Sequence, residues 1–270
     1  MDKITLTEEK ETLLIPLYGK AKESEKKHPI IIDRKAVEIV NQIDYDFRSL
    51  KIPEKTNTMM SLRAKLIDNF VKNFLKENNE SIAMHLGCGL DSRYERINNG
   101  DVDWYDVDFE DVIDIRRHFY EETDNYHLIA SSVTEKEWLE EIPVDKRHYV
   151  VIAEGLFMYL KEDEIKTLLN DLKNRIGSYT LIFDAFSLYT AKKVKNQPSI
   201  KKTGALIHWG IDNPEDLTNW GMEIKFIKEQ YFTANEEIKN LGTSVKLMYK
   251  IANLFKTAKR AHRLLIYKVG

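Results

Sequence analysis

The chain has 270 residues, with 41 basic and 44 acidic side chains and a formal net charge of −3. These totals lack the basic excess typical of proteins that bind nucleic acid or a strongly anionic membrane surface, so neither partner is expected. The length suits one α/β domain with additional helices better than two independent domains. We therefore expect a single domain that spans residues 1–270.

The cysteine content and the first residues favour a cytoplasmic protein. Cys88 is the only cysteine, so no intramolecular disulfide can form. The opening sequence MDKITLTEEKETLL lacks the basic region followed by an apolar region that a secretory signal has. No apolar run approaches the ~20 residues that span a bilayer. A cytoplasmic location is therefore expected, and the oligomeric state stays open.

The first sixty residues carry two helical patterns. TLTEEKETLLIPLYGKAKESEKK and IIDRKAVEIVNQI each repeat apolar residues at helical spacing, and Pro29 breaks the pattern between them. MMSLRAKLIDNFVKNFLKENNE follows, with one apolar face and a polar end. The patterns predict a helical cap over residues 1–60 and a helix that enters the main domain.

Strand-like runs then alternate with helical runs along residues 61–270. In chain order the strand-like runs are SIAMHL, VDWYDV, YHLIAS, YVVIAE, TLIFDA, MEIKFIKEQYF and RLLIYKV. EDEIKTLLNDLKNRI and NEEIKNLGTSVKLMYKIANLFKTAK are the helical stretches between the fourth and fifth and between the last two strands. Runs such as YVVIA are apolar on both faces, as in parallel strands covered by helices. The prediction is an α/β fold with a seven-stranded, doubly wound, Rossmann-like sheet and a lid insertion near residues 190–215.

The first strand-like run ends in the turn Gly87-Cys88-Gly89. Glycine lets the backbone turn sharply and lets a ligand approach, as in parallel sheets that bind an adenosine cofactor. An ordinary bend between strand and helix is the alternative. Ser92 occupies the position of the third glycine of a dinucleotide fingerprint, which disfavours a nicotinamide oxidoreductase. Asp91 suits a ligand without phosphate, such as S-adenosylmethionine, better than a diphosphate.

Two carboxylates end the second strand-like run, in WYDVDFEDVID. Asp106 or Asp108 could accept hydrogen bonds from ribose hydroxyls, as acidic residues do at this position. An acidic loop and helix start is the alternative. Cys88 is interpreted as a small buried residue rather than a reactive thiol, and His85 as a core histidine. Without a cluster of cysteine and histidine, we expect neither redox chemistry nor a metal.

Four motifs in order carry a family resemblance: MHLGCGLDSRYERI, WYDVDFEDVIDIRRHF, IAEGLFMYLKEDEIKTLL and LIFDAFS. Together they resemble the leucine carboxyl methyltransferase family, which comprises class I S-adenosylmethionine-dependent O-methyltransferases. Within that family they resemble the bacterial branch typified by the tetracenomycin polyketide O-methyltransferase. ETLLIPLYGKA and GALIHWGIDNPEDLTNW also resemble that branch, so the resemblance spans nearly the whole chain.

The resemblance implies roles for individual residues. It implies that Gly87 and the turn around it hold the methionine part of the cofactor, that Asp108 binds the ribose and that Glu154 lies beside the methionine end. It also implies that Arg63 pairs with the cofactor carboxylate, for which a guanidinium is well shaped. The remaining predicted cofactor contacts are Cys88, Gly89, Asp91, Ser132 and Val133.

One departure from the family pattern bears on the substrate. Protein-directed members have an aspartate-leucine pair after the third strand that contacts adenine, whereas this chain has Ser132-Val133. A serine hydroxyl can still bond to the adenine edge. The segment EGLFMYL has the glycine and tyrosine usual in members that act on small molecules.

The chemistry suggests candidates at the acceptor. A carboxylate acceptor is already ionised near pH 7, whereas a phenol, with a pKa near 10, would need a base. We take Tyr159 and His208 as the candidate catalytic residues, with packing beside Phe157 as the alternative for Tyr159. Arg93 and Arg96 either steer an acidic acceptor or belong to a solvated helix face with Asp91 and Glu95 as salt partners.

The remaining expectations concern Trp209, a lysine-rich run and the overall function. Trp209 is assigned to packing, and the lysine-rich run KKVKNQPSIKK is either a lid that attracts an anionic substrate or a solvated loop. The predicted function is S-adenosylmethionine-dependent methylation of a carboxylate or phenolic oxygen of a small molecule, a polyketide-like or other secondary metabolite. The alternatives are a methyltransferase that acts on a protein C-terminus and a non-catalytic module that binds the cofactor.

Overall fold

A seven-stranded mixed sheet forms the centre of the protein. The computed structural model describes residues 11–97, 102–194, 206–234 and 236–270. The sheet order is β3-β2-β1-β4-β5-β7-β6, with β1 to β5 parallel and β7 antiparallel to its two neighbours. The strands are β1 Ser81–Leu86, β2 Val102–Asp108, β3 Tyr126–Ala130, β4 His148–Ala153, β5 Tyr179–Phe186, β6 Ile224–Tyr231 and β7 His262–Val269.

The helices are α1 Glu11–Ser24, α2 Arg34–Gln42, α3 Glu54–Glu77, α4 Arg93–Ile97, α5 Glu110–Arg117, α6 Glu162–Ile176, α7 Leu188–Val194, α8 Thr243–Asn253 and α9 Lys256–Lys259. The 3-10 segments are Phe47–Leu50, Glu137–Glu141, Phe157–Tyr159, Pro214–Trp220 and Glu236–Asn240. The helical stretch predicted before β7 is divided, because Gly242 and Phe255 have extended backbones ahead of α8 and α9.

Apolar side chains cover both faces of the sheet. All six residues of β1 are buried. On one face they pack with α6, and on the other with α3 and α5. This arrangement explains why the strand runs are apolar on both faces, and it confirms the predicted doubly wound, seven-stranded α/β fold. Trp209 is 6% exposed and packs near Phe157 and Phe183, which confirms its packing role.

The N-terminal helices pack against α3. Leu17 of α1 and Ile39 of α2 are buried in the same apolar cluster as Ile67 of α3. Asp33 begins α2 by accepting a hydrogen bond from the Ala36 N–H at 2.8 Å. α3 begins at Glu54, before the predicted boundary of the cap at residue 60, and continues beyond it to Glu77. The helix therefore belongs both to the predicted cap and to the predicted core. The predicted domain boundaries stay predictions.

The lid insertion predicted near residues 190–215 is only partly visible. Its middle, residues 195–205, and with it most of the lysine-rich run, lies outside the described residues. Within the described ranges, no helix combines the length and apolar character needed to cross a membrane. The cytoplasmic location stays a prediction.

Candidate functional site

The turn between β1 and α4 holds two glycines in the left-handed region. φ is +63° at Gly87 and +53° at Gly89, a conformation that glycine adopts without a steric penalty. A Cβ on Gly87 would lie 2.9 Å from Leu156 Cδ1. The Gly87 N–H donates to the Val107 carbonyl at 2.8 Å, which ties the turn to β2. The sequence thus places a glycine turn at the carboxyl ends of the parallel strands.

Replacing Gly87 with alanine is expected to lower the free energy of unfolding by about 1–2 kcal/mol, the cost of an L-residue in the left-handed region. Urea unfolding measures this loss. Gly221→Ala is the matched control, since φ is +77° there and no heavy atom lies within 4 Å of an added Cβ. The contact with Leu156 should make Gly87→Ala the more destabilising variant. A smaller loss at Gly87 than at Gly221 contradicts the crowding inferred for the turn.

Asp108 closes β2 beside this turn. Its Oδ2 accepts a hydrogen bond from the Gly89 N–H at 2.7 Å, and its Oδ1 accepts one from the Phe109 N–H at 2.8 Å. Burial raises the pKa of the Asp108 carboxyl, although the two backbone N–H groups oppose the rise. Each carboxylate oxygen has a second lone pair. Asp108 can therefore still accept hydrogen bonds from two neighbouring hydroxyls.

Asp106 has a structural role instead. Its side chain is 1% exposed, accepts a hydrogen bond from the Tyr126 hydroxyl at 2.6 Å and pairs with the Arg116 guanidinium. Burial opposes its ionisation, but Arg116 outweighs burial and holds the pKa of the Asp106 carboxyl below its usual value. The buried His85 lies 3.2 Å away through Nδ1, which confirms it as a core histidine. Of the two acids left open by the sequence, Asp108 is the one that accepts a hydrogen bond from the glycine turn.

Glu154 and Arg63 form an ion pair just beyond β4. Arg63 Nε donates to Glu154 Oε1 at 2.9 Å and Arg63 Nη1 donates to Asp184 Oδ2 at 3.1 Å. Arg93 donates a further hydrogen bond to Glu154. Burial opposes ionisation of Glu154, but Arg93 and Arg63 outweigh it and hold the pKa of this carboxyl below its usual value. Arg63 Nη2 has no hydrogen-bond partner among the described residues, so part of the guanidinium stays available.

Asp91 is held by three cations. Lys20 Nζ of α1 lies 3.1 Å from Oδ2, Arg96 Nη1 lies 2.8 Å from Oδ1, and Arg93 Nη2 lies 3.5 Å from Oδ2. Burial opposes ionisation, yet these cations hold the pKa of the Asp91 carboxyl well below its usual value. Arg93 and Arg96 also pair with Asp68 of α3. Asp91 therefore joins α1 to the turn.

The two arginines of α4 do not behave as the sequence suggested. The Arg93 side chain is fully buried, and the Arg96 side chain is 6% exposed. Side chains so deeply buried do not form a solvated helix face, so that interpretation is wrong, and the steering of an acceptor stays a prediction. The pairing of these arginines with Asp91 is the part that the structure bears out.

Ser132 and Val133 lie just beyond β3 and differ in environment. The Ser132 hydroxyl is half-buried, lies 2.8 Å from Thr134 Oγ1 and accepts a 3.3 Å hydrogen bond from the Thr134 N–H. The Val133 side chain is buried in the core on the α6 face. A ligand at this edge would meet the hydroxyl of Ser132 but only the backbone of Val133.

Tyr159 and His208 lie close in the fold but face different surroundings. Tyr159 is half-buried beside Met158 and Ile207. Burial raises the pKa of its phenol; the nearby Arg63 charge lowers this pKa and the Asp184 charge raises it further, both less than burial does. The His208 N–H donates to the Met158 carbonyl at 2.8 Å, whereas the residue as a whole is exposed. The structure therefore brings Tyr159, but not the His208 ring, toward Arg63 and its partner Asp184.

Cys88 lies inside the turn and is 3% exposed. Burial raises the pKa of its thiol well above the usual value, so the thiol stays protonated. This supports its interpretation as a small packing residue. Within the described parts of the chain, no group of three or more His, Cys, Asp or Glu side chains is arranged to hold a metal ion. The expectation of a metal-free site stays a prediction.

Comparison with known proteins tests the family resemblance. The family model described as leucine carboxyl methyltransferase matches residues 14–173. The chain belongs to the leucine carboxyl methyltransferase family. The resemblance drawn from the four motifs is confirmed, and with it the predicted enzyme class, a methyltransferase that depends on S-adenosylmethionine.

Individual relatives of this leucine carboxyl methyltransferase family protein cover most of its length. The tetracenomycin polyketide synthesis O-methyltransferase TcmP of Streptomyces glaucescens is 35% identical over 229 residues, 84% of each chain. The S-adenosyl-L-methionine-dependent methyltransferase dpfgK of Gibberella zeae is 29% identical, over 94% of this chain and 92% of its own. A solved methyltransferase from Anabaena variabilis has the same fold, with a TM-score of 0.52, 12% identity and coverage of 77% and 84%.

Sequence reasoning missed two side chains of the site in this family member. Asp184 accepts hydrogen bonds from Arg63 and from the Gly155 N–H at 2.5 Å, and contacts His262 Nε2 at 2.6 Å. In the sequence, the sign that Asp184 has a special role is that its carboxylate lies inside the apolar run TLIFDA. Lys20 had no such signal, because its partner Asp91 lies 71 positions along the chain.

Proposed function

We propose that this protein transfers a methyl group from S-adenosylmethionine to a carboxylate or phenolic oxygen of a small molecule, such as a polyketide-like or other secondary metabolite. One observation carries the proposal: Asp108 and the Arg63–Glu154 pair lie at the ends of β2 and β4, the two strands that flank β1 and its glycine turn. The name of the relative TcmP, a polyketide synthesis O-methyltransferase, supports this acceptor class.

The residues at this edge match the functional groups of the cofactor. Asp108 would accept hydrogen bonds from the ribose hydroxyls, Glu154 would hold the ammonium, and Arg63 Nη2 would donate to the carboxylate. A Cβ on Gly89 would lie 3.3 Å from Leu13 Cδ2, so the turn has no room to spare for a side chain. Bound S-adenosylmethionine supplies a methyl carbon made electrophilic by its sulfonium.

The other proposed cofactor contacts come from the turn and from the end of β3. Gly87 and Cys88 would contribute backbone groups, because the Cys88 side chain is buried. The Ser132 hydroxyl and the Val133 backbone would meet the adenine. Asp91 would act by holding the turn in place, since three cations already surround its carboxylate.

Positioning is the main task of the acceptor site, because the attacking oxygen must lie about 3 Å from the methyl carbon and in line with the sulfur. Burial raises the pKa of Tyr159, so its phenol is protonated at neutral pH and can donate a hydrogen bond to the acceptor. A protonated phenol cannot act as a general base. This favours a carboxylate acceptor, because a carboxylate is already ionised near pH 7 and needs no base. His208 would contribute to the wall of the acceptor pocket, beside the segment that carries Tyr159.

Tyr159→Phe is expected to lower kcat about tenfold, because it removes one hydrogen bond that orients the acceptor. The affinity for S-adenosylhomocysteine, measured by calorimetry, should not change. The matched control is Tyr189→Phe, since Tyr189 is 55% exposed on α7. Equal kcat values for Tyr159→Phe and the unchanged protein would assign Tyr159 to packing only.

The proposed function is tested by binding and then by turnover. Calorimetry should show binding of S-adenosylhomocysteine and none of NADH. A panel of aromatic carboxylic acids and phenols is then incubated with S-adenosylmethionine, and each product is treated with alkali. A methyl ester hydrolyses under alkali, whereas a phenol methyl ether does not. Cofactor binding with turnover of no small molecule, but of a peptide C-terminus, overturns the proposed acceptor class; binding without any turnover favours the non-catalytic module.

A further inference from the structure

The segment that contains α8 and α9 has an exposed apolar face. Four of its large side chains follow helical spacing, at i, i+1, i+4 and i+7, and a fifth comes next in the chain. We call this set the α8–α9 face: Leu247, Met248, Ile251, Leu254 and Phe255, which are 59%, 43%, 51%, 78% and 60% exposed. Single exposed apolar residues are ordinary on proteins, but a contiguous group on one side of an element marks an interaction surface.

The opposite side of the same segment anchors it to the protein. Tyr249 is 3% exposed and belongs to a small apolar cluster with Ile30 and Leu62. The Thr233 hydroxyl donates to Asn253 Oδ1 at 2.7 Å, and Asn253 Nδ2 donates to the Thr233 carbonyl at 2.5 Å. The apolar α8–α9 face therefore points away from contacts that already hold the segment in place.

The part of the chain that forms this face carries charge of one sign. No acidic residue follows Glu237 in the chain, although 44 of the 270 residues are acidic. Three cations near the face, at Lys246, Lys250 and Lys256, have no carboxylate within ion-pair distance among the described residues. The balanced total charge of the chain, from which no membrane partner was expected, conceals this local excess.

We propose that the α8–α9 face is a reversible docking surface for an anionic lipid bilayer. Helices with this combination of exposed apolar and basic side chains lie in the membrane interface, with the apolar side chains at the acyl boundary and the cations among the head groups. α8 has 11 residues, far fewer than the ~20 that span a bilayer, so it would lie along the surface.

The same charges disfavour a second copy of the chain as the occupant. A two-fold contact through this face would bring two identical patches together, so that cations of one copy would lie near cations of the other. An acidic protein partner would satisfy the charge but is a different class of ligand, and the experiment below separates the two.

Vesicle co-sedimentation tests the proposal on the full chain. We expect binding to phosphatidylcholine vesicles that contain phosphatidylglycerol, little binding to phosphatidylcholine alone, and release in 1 M salt, where the Debye length is about 3 Å. Two double variants should each lower the partition coefficient at least about tenfold, since two basic residues together contribute more than one such factor, and so does the burial of two large apolar side chains. They are Leu254→Ser with Phe255→Ser, and Lys250→Glu with Lys256→Glu.

Matched double variants elsewhere control for the changes in polarity and charge. Ile32→Ser with Val144→Ser replaces two side chains that are 60% and 54% exposed, and Lys72→Glu with Lys76→Glu reverses two exposed charges on α3. Both controls should bind vesicles as the unchanged protein does, and all variants should keep S-adenosylhomocysteine affinity, which shows that they fold.

Three results would overturn the proposal. The first is no binding to the anionic vesicles, which would leave an acidic protein or a second copy of the chain as the occupant. The second is equal binding to vesicles with and without phosphatidylglycerol, and the third is an equal loss in the control variants. A dimer that Leu254→Ser with Phe255→Ser dissociates, together with absent vesicle binding, would assign the face to a second copy.

Discussion

Asp108→Ala is expected to weaken S-adenosylhomocysteine binding at least about 100-fold. Hydrogen bonds to a charged group are worth about 1.5–3 kcal/mol each, and the proposed contact has one to each ribose hydroxyl. Since every ~1.4 kcal/mol is a factor of ten in affinity, two such bonds account for this loss. The variant also removes the acceptor that holds the Gly89 N–H at 2.7 Å, which loosens the turn. Isothermal titration calorimetry measures the effect directly.

A shorter ligand makes this experiment specific to the ribose. 5′-Methylthioadenosine retains the adenosine and the thioether but lacks the amino-acid end. Asp108→Ala should weaken both ligands by similar factors, because both carry the ribose hydroxyls. Glu110→Ala, an exposed acid two residues along, is the matched control and should leave both affinities unchanged. Unaltered binding by Asp108→Ala would refute the ribose contact.

Much of the fold follows from patterns local to the chain. β1 coincides with SIAMHL, and α6 coincides with EDEIKTLLNDLKNRI, because apolar periodicity reports directly on which faces are buried. The Gly87 turn could also be predicted, since φ of +63° is a backbone requirement that glycine signals in sequence. The break before α8 could not be predicted. Gly242 has an extended backbone there, but the helical pattern of the sequence continues on both sides of it.

The site was harder to predict because its charges are paired across long sequence separations. Asp108 could be located from its position at a strand end, but its distinction from Asp106 depends on Arg116 and Tyr126, which the fold brings together. The burial of Arg93 likewise depends on Asp68, 25 positions away. A sequence pattern indicates that a charged residue lies near a helix start, but not whether a partner from another helix will bury it.

Arg63→Lys is expected to weaken S-adenosylhomocysteine binding about 10–100-fold and to leave 5′-methylthioadenosine binding unchanged. Lysine keeps the positive charge beside Glu154 and Asp184, so the two carboxylates remain partnered. It lacks the planar guanidinium, however, and a single ammonium cannot keep both carboxylates and also donate to a ligand carboxylate with the same geometry. Because 5′-methylthioadenosine has no carboxylate, its affinity also reports whether the variant is folded.

The combination of both variants with both ligands separates the two halves of the cofactor site. Arg117→Lys, at an arginine side chain that is 46% exposed, is the matched control for the exchange of guanidinium for ammonium. A loss for both ligands in Arg63→Lys would mean that Arg63 supports the crevice as a whole. A loss for neither would remove it from the site, because Nη2, the terminal nitrogen for which the described residues offer no hydrogen-bond partner, would then have no role toward the cofactor.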